Sequence, residues 1–167
     1  MTNNNSYSTR AHEAVMERIR DSASPGDSVL DVGCGDGSFL TTVKDELSVT
    51  AVGIDPFTGG NKGDSSSCKA YKAEEITKLG EKFDLVYSLN STHHFEDPAE
   101  FTQNLPLVLK PGGEVIIADW KRGASTGIPE SYYEVEYISD LLKEAGLVVN
   151  EETEFEKQLL VRAHGPS

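Results

Sequence analysis

The sequence predicts an α/β fold: an open, mostly parallel sheet with helices on both faces. Three observations carry that expectation. Apolar, β-branched runs of strand length recur along the chain, separated by helical periodicity or by turn residues. The first run, Val29-Leu30-Asp31-Val32, passes straight into Gly33-Cys34-Gly35-Asp36-Gly37 and then Ser38-Phe39-Leu40, a strand, a sharp turn and a helix. Two further runs near the end, separated by Glu156-Lys157, read as a terminal hairpin.

Taken in order, residues 1–8 are rich in Asn and Ser and read as a frayed or disordered start. Residues 9–22 carry Ala11, Val15 and Ile19 on one helical face and charged residues on the other. Pro25-Gly26-Asp27 ends that helix and turns the chain into a strand over 28–32. A helix over 38–47 buries Phe39, Leu40, Val43 and Leu47, and residues 49–54, apolar on both faces, form a second strand. A crossover helix is expected next, but 58–67 holds three glycines and almost nothing apolar, so a loop is predicted, mobile until a ligand orders it. A short strand over 68–71 and a short helix over 74–79 follow. Residues 83–89 form a fourth strand. Asp97-Pro98-Ala99-Glu100 reads as a helix start, with an N-cap acid and proline in the first turn. That helix is expected to run toward Leu109, with Pro106 breaking or kinking it. Pro111-Gly112-Gly113 is a tight turn into a fifth strand over 114–119. A helix over 131–145 closes on Gly146, before strands over 147–155 and 158–163.

The chain has 167 residues, with 28 acids against 15 Lys and Arg and a formal charge of −13. One domain is expected over 25–167, with the tail and helix of 1–24 belonging to it. No basic cluster is present, so a nucleic acid backbone would be repelled. Two cysteines, Cys34 and Cys68, make neither a C-x-x-C pair nor a disulfide framework. No apolar run approaches membrane-spanning length and the opening residues lack a signal-peptide core, so a reduced, cytoplasmic setting is expected.

The chemistry concentrates at the glycine turn. Glycines at alternate positions reach torsions that side chains forbid and let a ligand lie against the main chain. A dinucleotide site asks for G-x-G-x-x-G, whereas here the spacing is G-x-G-x-G, with Ser38 where the third dinucleotide glycine falls. Asp31 would also repel a diphosphate; it suits a ligand carrying an ammonium or another cation.

An acid followed by three such glycines resembles the nucleotide-binding motif of the class I S-adenosylmethionine-dependent methyltransferases, and the order of elements from Pro25 to Ala163 is similar to their seven-stranded, Rossmann-like fold with an antiparallel last strand. The resemblance implies that Asp31, Gly33, Cys34, Gly35 and Gly37 hold the amino acid end of S-adenosylmethionine and of its product, S-adenosylhomocysteine. Asp55, 18 residues beyond Gly37 and followed by Pro56, takes the ribose hydroxyls. Ala73 and Glu74 border the adenine, although Lys72 stands where many relatives carry aspartate, and Glu74 and Glu75 also read as ordinary first-turn acids. Leu89 and Asn90 lie nearest the sulfonium. Leu109-Lys110-Pro111-Gly112-Gly113 is a family turn on the far side and carries no chemistry.

Methyl transfer to a hydroxyl or amine also needs a proton acceptor. His93 and His94 are the candidates, and because adjacent residues point apart at most one faces the acceptor; packing roles remain open for both. Their spacing makes a poor metal site. Asp119-Trp120 ends the fifth strand at the same edge, Trp120 as a pocket wall or as a core residue; Tyr132 and Tyr133 are lid or packing residues. The expected function is methyl transfer to a small-molecule acceptor, in a pocket that is shallow or completed by the N-terminal helix or a second subunit of a homodimer. The alternatives are a non-catalytic S-adenosylmethionine-binding partner and a nucleic acid methyltransferase; against the latter stand the acidity and Asn90-Ser91-Thr92 in place of an Asn-Pro-Pro-Tyr type element.

Overall fold

The computed structural model describes residues 4–57, 68–121, 132–155 and 157–167, with side chains from residue 10 onward. Its centre is a seven-stranded sheet in the order β3-β2-β1-β4-β5-β7-β6. The strands are β1 (Ser28–Val32), β2 (Thr50–Ile54), β3 (Cys68–Lys69), β4 (Phe83–Leu89), β5 (Leu109–Trp120), β6 (Val148–Glu154) and β7 (Gln158–His164). The first five pair in parallel, and β7 enters antiparallel between β5 and β6. The α/β, mostly parallel sheet expected from the sequence is therefore the one observed.

Helices α1 (Asn4–Ser22), α2 (Ser38–Leu47), α3 (Pro98–Val108) and α4 (Val135–Glu144) cover both faces. On one face Val15 and Ile19 of α1 and Leu40 and Val43 of α2 pack on Val29, Leu85 and Ile116. On the other, Phe101 and Leu105 of α3 and Ile138 and Leu142 of α4 pack on Leu30, Val86 and Ile117. Strands covered on both sides read as near-continuous apolar runs, which is why β1 and β4 have the bounds their sequences predict. Arg18 fixes α1 across the sheet through Glu151 of β6, with Nη2 to Oε2 at 2.7 Å and both side chains mostly buried.

Several expectations are corrected. Residues 4–8 are the first turns of α1, not a frayed start; a helix propagates cheaply from a nucleus, here the buried stripe beginning at Ala11. Pro106 does not end α3, because it lies in the last turn, where a missing N–H forfeits a single helical bond. The fifth strand begins at Leu109, five residues early: Leu109 pairs with Phe83, the register jumps, and Glu114 pairs with Leu85, so the expected turn is a bulge inside the strand. Gly113 lies so close to the backbone that a Cβ would come 2.9 Å from the Lys110 carbonyl oxygen. The third strand is two residues long rather than four, and the short helix after it, Ala73–Leu79, is a 3-10 helix. The last long helix begins at Val135 rather than at residue 131. The predicted loop over 58–67, residues 122–130, Ser131 of the expected last helix and Glu156 of the final turn lie outside the described residues.

The two cysteines, read from the sequence as unpaired, are brought together. Cys34 and Cys68 are paired sulfur to sulfur with their Cα atoms 6.5 Å apart. Their separation of 34 residues conceals this, because the contact depends on the β1 turn and β3 flanking β2 in the sheet. No helix among the described residues is long and apolar enough to cross a membrane.

Candidate functional site

Strand order reverses between β1 and β4, and in open α/β sheets ligands occupy the crevice beyond the carboxyl ends of the strands at that point. Here the crevice is three adjoining hollows wrapped around the glycine turn. The largest run of apolar wall, enclosing about 240 Å³, is lined by Gly33, Asp55, Pro56, Ala73, Glu74 and His94 among others. A second includes Gly35, Asn90, Ser91 and Phe57. The third, about 120 Å³, lies on the α1 side and is lined by His12, Asp31, Cys34, Asp36, Phe39 and Leu89 with neighbouring turn residues. Of the thirteen residues predicted for the site, all but Gly37 and His93 border these hollows.

The turn is built by close approaches. Gly33 has φ +91°, and a Cβ on it would lie 2.3 Å from Ser91 Oγ, so side chains are excluded by torsion and by space alike. Gly33 and Cys34 donate their N–H groups to the Ile54 carbonyl at 2.7 and 3.1 Å, which fastens the turn to the end of β2. Gly37 has φ 81° and caps α2, so its part is to start the helix rather than to line the crevice.

Asp31 is buried at 3% exposure and accepts a hydrogen bond from the Tyr87 hydroxyl at 2.8 Å. Burial pushes its carboxyl up to about 7; the Tyr87 bond opposes that rise and the nearby Asp55 charge adds to it. Tyr87, its neighbour in the β1–β4 register, is itself driven to a higher pKa by burial and by Asp31. Phe39 packs edge-on to Tyr87 and also to His12, with ring centroids 5.6 and 5.0 Å apart. Sequence reading missed His12 as a site residue; only the docking of α1 places it there.

Asp55 is held at the mouth of the crevice, its carboxylate accepting from Gly35 N–H at 3.0 Å and from Phe57 N–H at 2.9 Å. Glu74 also binds the chain: its carboxylate accepts from Asp97 N–H at 2.9 Å, at the start of α3. Lys72, the residue out of keeping with the family pattern, lines the same hollow and pairs with Glu96 at 3.0 Å. Asn90 ends β4 with φ 55°, an uncommon torsion for a residue with a side chain. It is held there by N–H donation to the Ala118 carbonyl at 2.7 Å and by Gln158, whose amide donates to Asn90 Oδ1 at 3.1 Å.

The two histidines separate. His94 faces the hollows, whereas the His93 side chain is 4% exposed and meets Asp119 of β5, Nδ1 to Oδ1 at 2.7 Å. A carboxylate only accepts, so Nδ1 carries the proton and Nε2 is the basic nitrogen. Asp119 also accepts from the His93 and Trp120 backbone N–H groups, both at 2.8 Å, which locks the acid in place. The His93 ring contacts those of His94, at 3.9 Å, and Tyr132, at 5.0 Å. No such partner for His93 was evident from the sequence, since Asp119 lies 26 residues away.

A family model described as a methyltransferase domain matches residues 6–152. The 2-methyl-6-phytyl-1,4-hydroquinone methyltransferase of Synechocystis sp. is 33% identical over 130 residues, covering 73% of this chain and 41% of that protein. Phosphoethanolamine N-methyltransferase 1 of Arabidopsis thaliana is 29% identical over 160 residues, covering 83% of this chain and 33% of that protein. The chain thus spans well under half the length of these relatives. Among solved structures, Haemonchus contortus phosphoethanolamine N-methyltransferase 2 in complex with S-adenosyl-L-methionine shares the fold with a TM-score of 0.75 at 17% identity, covering 95% of this chain and 53% of that one.

Proposed function

Because this chain belongs to the methyltransferase-domain family, as a class I S-adenosylmethionine-dependent methyltransferase domain, we propose that it transfers a methyl group to a small-molecule acceptor bound at the carboxyl ends of β4 and β5. The observation that carries the reading is the acceptor set of the crevice, two carboxylates placed either side of a glycine-rich turn. That set matches the donors of S-adenosylmethionine, an ammonium at one end and a ribose diol in the middle, and it does not match a diphosphate.

When bound, the cofactor supplies an electrophilic methyl group on a sulfonium. In this reading the chain's residues bind it, orient it and keep water away. Asp31 accepts from the ammonium, which relieves the cost of a buried carboxylate. His12 presents at least one ring N–H in every protonation state, so it suits the carboxylate of the same amino acid end. Asp55 keeps acceptor capacity beyond its two backbone bonds and serves the ribose hydroxyls. Ala73 and Glu74 border the adenine, and Leu89 and Asn90 border the reacting end. Gln158, by fixing Asn90, acts at one remove.

The acceptor side lies toward Asp119, Trp120 and Tyr132. His93 is the candidate proton acceptor there, with Asp119 behind it to fix its tautomer and support the charged ring. His94 takes the other role, as a wall of the cofactor crevice. A small-molecule acceptor is supported by the named substrates of the two curated relatives and by the charge of −13, which disfavours a nucleic acid backbone.

Calorimetric titration tests the premise, and product formation from a panel of phenols, amines and carboxylates tests the reaction. Binding of S-adenosylhomocysteine, little or no binding of NAD, and methylation of at least one acceptor are expected. Tight NAD binding with silence toward S-adenosylhomocysteine would overturn the reading.

A further inference from the structure

The Cys34–Cys68 pair has no part in the transfer proposed above, yet it sits in the turn on which the cofactor depends. Cys34 lies between Gly33 and Gly35; Cys68 opens β3 at the sheet edge, and β2 runs between the two. Their Cα separation of 6.5 Å falls within the roughly 4.4–6.8 Å that a disulfide spans. β2 makes way for them. At Gly53 a Cβ would lie 2.6 Å from Cys34 Cβ, 2.7 Å from Cys34 Sγ and 3.0 Å from Cys68 Sγ, so the strand lacks a side chain where the pair crosses it. Both cysteines are buried, Cys34 at 7% and Cys68 at 8% exposure, and Cys34 borders the hollow that holds Asp31.

We propose that Cys34 and Cys68 form a reversible disulfide whose oxidation holds the glycine turn in its cofactor-binding shape and whose reduction loosens it. The proposal rests on the reading of that turn as the cofactor site. A hydroperoxide is the oxidant. The Cys34 thiol gives up its proton, and the thiolate attacks a peroxide oxygen; the O–O bond breaks, leaving a sulfenic acid and releasing water or an alcohol. The Cys68 thiol then attacks that sulfur, the S–S bond forms, and the sulfenic oxygen leaves as water with the thiol proton. Two electrons have passed from the thiols to the peroxide. An external dithiol returns two electrons and two protons and is itself oxidised.

Coupling to the cofactor follows from where slack is absent. Unbonded sulfurs sit farther apart than bonded ones, and at Gly53 the β2 side has no room to give. The parts that yield are the glycine turn and β3, which among the described residues pairs with β2 at Gly53↔Cys68 and Ile54↔Lys69 and takes the Asp55 N–H on the Lys69 carbonyl at 3.0 Å. The Gly35 N–H that meets Asp55 at 3.0 Å belongs to the same turn, so its displacement disturbs the turn amides and the ribose-side carboxylate together. A tethered turn is ordered before the cofactor arrives and binding has less to immobilise.

The test titrates the full chain with S-adenosylhomocysteine after hydrogen peroxide and again after dithiothreitol, with mass spectrometry of the alkylated protein to count free thiols. Expected are no alkylated cysteines after peroxide, two after dithiothreitol, and affinity roughly five-fold weaker in the reduced state, the scale of ordering one or two extra groups. After dithiothreitol Cys68→Ser should bind as the reduced wild type does, with circular dichroism showing it folded, and peroxide should not tighten its binding. Equal affinity in the two states, or two alkylated cysteines after peroxide, would overturn the proposal. A folded protein that binds S-adenosylhomocysteine in neither state would instead overturn the cofactor reading, and this proposal with it.

Discussion

Replacing Asp31 with asparagine should make the cofactor-free protein more stable at neutral pH while weakening its hold on the cofactor. Asp31 is 3% exposed, and burial raises its carboxyl from 3.8 to about 7. In the unfolded chain the group loses its proton near pH 4. Between that point and pH 7 the folded state holds a proton that the unfolded state has released, so stability falls as pH rises through this window and levels off above it. At about 1.4 kcal/mol for each pH decade, the carboxylate costs the apo fold about 4 kcal/mol at pH 8. Asparagine has nearly the same shape, carries no charge and keeps an oxygen for the Tyr87 hydroxyl. The variant should therefore melt on the order of 10 °C higher than wild type at pH 8 and lack the downward slope between pH 4 and 7.

The same linkage predicts the cofactor's behaviour. An ammonium facing Asp31 favours the charged carboxylate, so binding between pH 6 and 7 should expel part of a proton from wild type and none from the Asp31→Asn variant. Calorimetry with S-adenosylhomocysteine in two buffers of different ionisation enthalpy reads that proton directly. Thermal melts of both proteins from pH 5 to 8 read the stability term. If Asp31→Asn keeps the wild-type pH slope, or melts below wild type at pH 8, the carboxylate does not carry the cost of burial assigned to it and the reasoning fails.

Asp55→Ala removes an acceptor shared by Gly35, Phe57 and, in the proposed complex, the ribose; affinity for S-adenosylhomocysteine should fall by about 1.5–3 kcal/mol in a folded protein. Unchanged affinity by calorimetry would leave Asp55 as a loop-fastening acid. Gly33→Ala forces a Cβ to within 2.3 Å of Ser91 Oγ at φ +91°, and thermal unfolding should show a loss of roughly 2–5 kcal/mol. Asp119→Ala strands the His93 ring N–H and two backbone N–H groups, and should cost about 2–4 kcal/mol in thermal unfolding, while Asp119→Asn, which keeps one acceptor oxygen, should lose distinctly less. Equal losses would mean that the bonds to Asp119 matter less than its packing.

What the sequence disclosed, and what it hid, divides along a physical line. β1 and β4 were legible because both faces of each are buried, so composition alone marks them. The places of Asp31 near the end of β1, of the turn glycines after it, and of Asp55 and Asn90 just beyond β2 and β4 were legible from strand composition and local turn chemistry, whereas the roles proposed for them came from the family resemblance. The first five residues of β5 were not legible, since Pro111, Gly112 and Gly113 advertise a turn and only pairing with β4 turns them into a bulge. The segment Ala73–Leu79 was read as a short helix over 74–79 but not as 3-10, since its residue types fit either helix and Glu75, with φ −98° and ψ 15°, interrupts the regular geometry.

The contacts that complete the site all span the sheet, and local pattern says nothing of them. Gln158 meets Asn90 across 68 residues, Cys68 meets Cys34 across 34, and Asp119 meets His93 across 26. His12 is the clearest case. Its helix carries an apolar stripe whose buried positions, Ala11, Val15 and Ile19, were visible at once, but the stripe fixes only which face packs. The direction and height of α1 on the sheet are seen only in its tertiary contacts, among them Arg18 reaching Glu151 of β6 and Arg20 reaching Glu46 of α2. In that position His12 meets Phe39 at the hollow that holds Asp31. The N-terminal helix thereby walls the hollow that holds Asp31, so the crevice is bordered by a segment that lies outside the strand–turn–helix unit of the glycine turn.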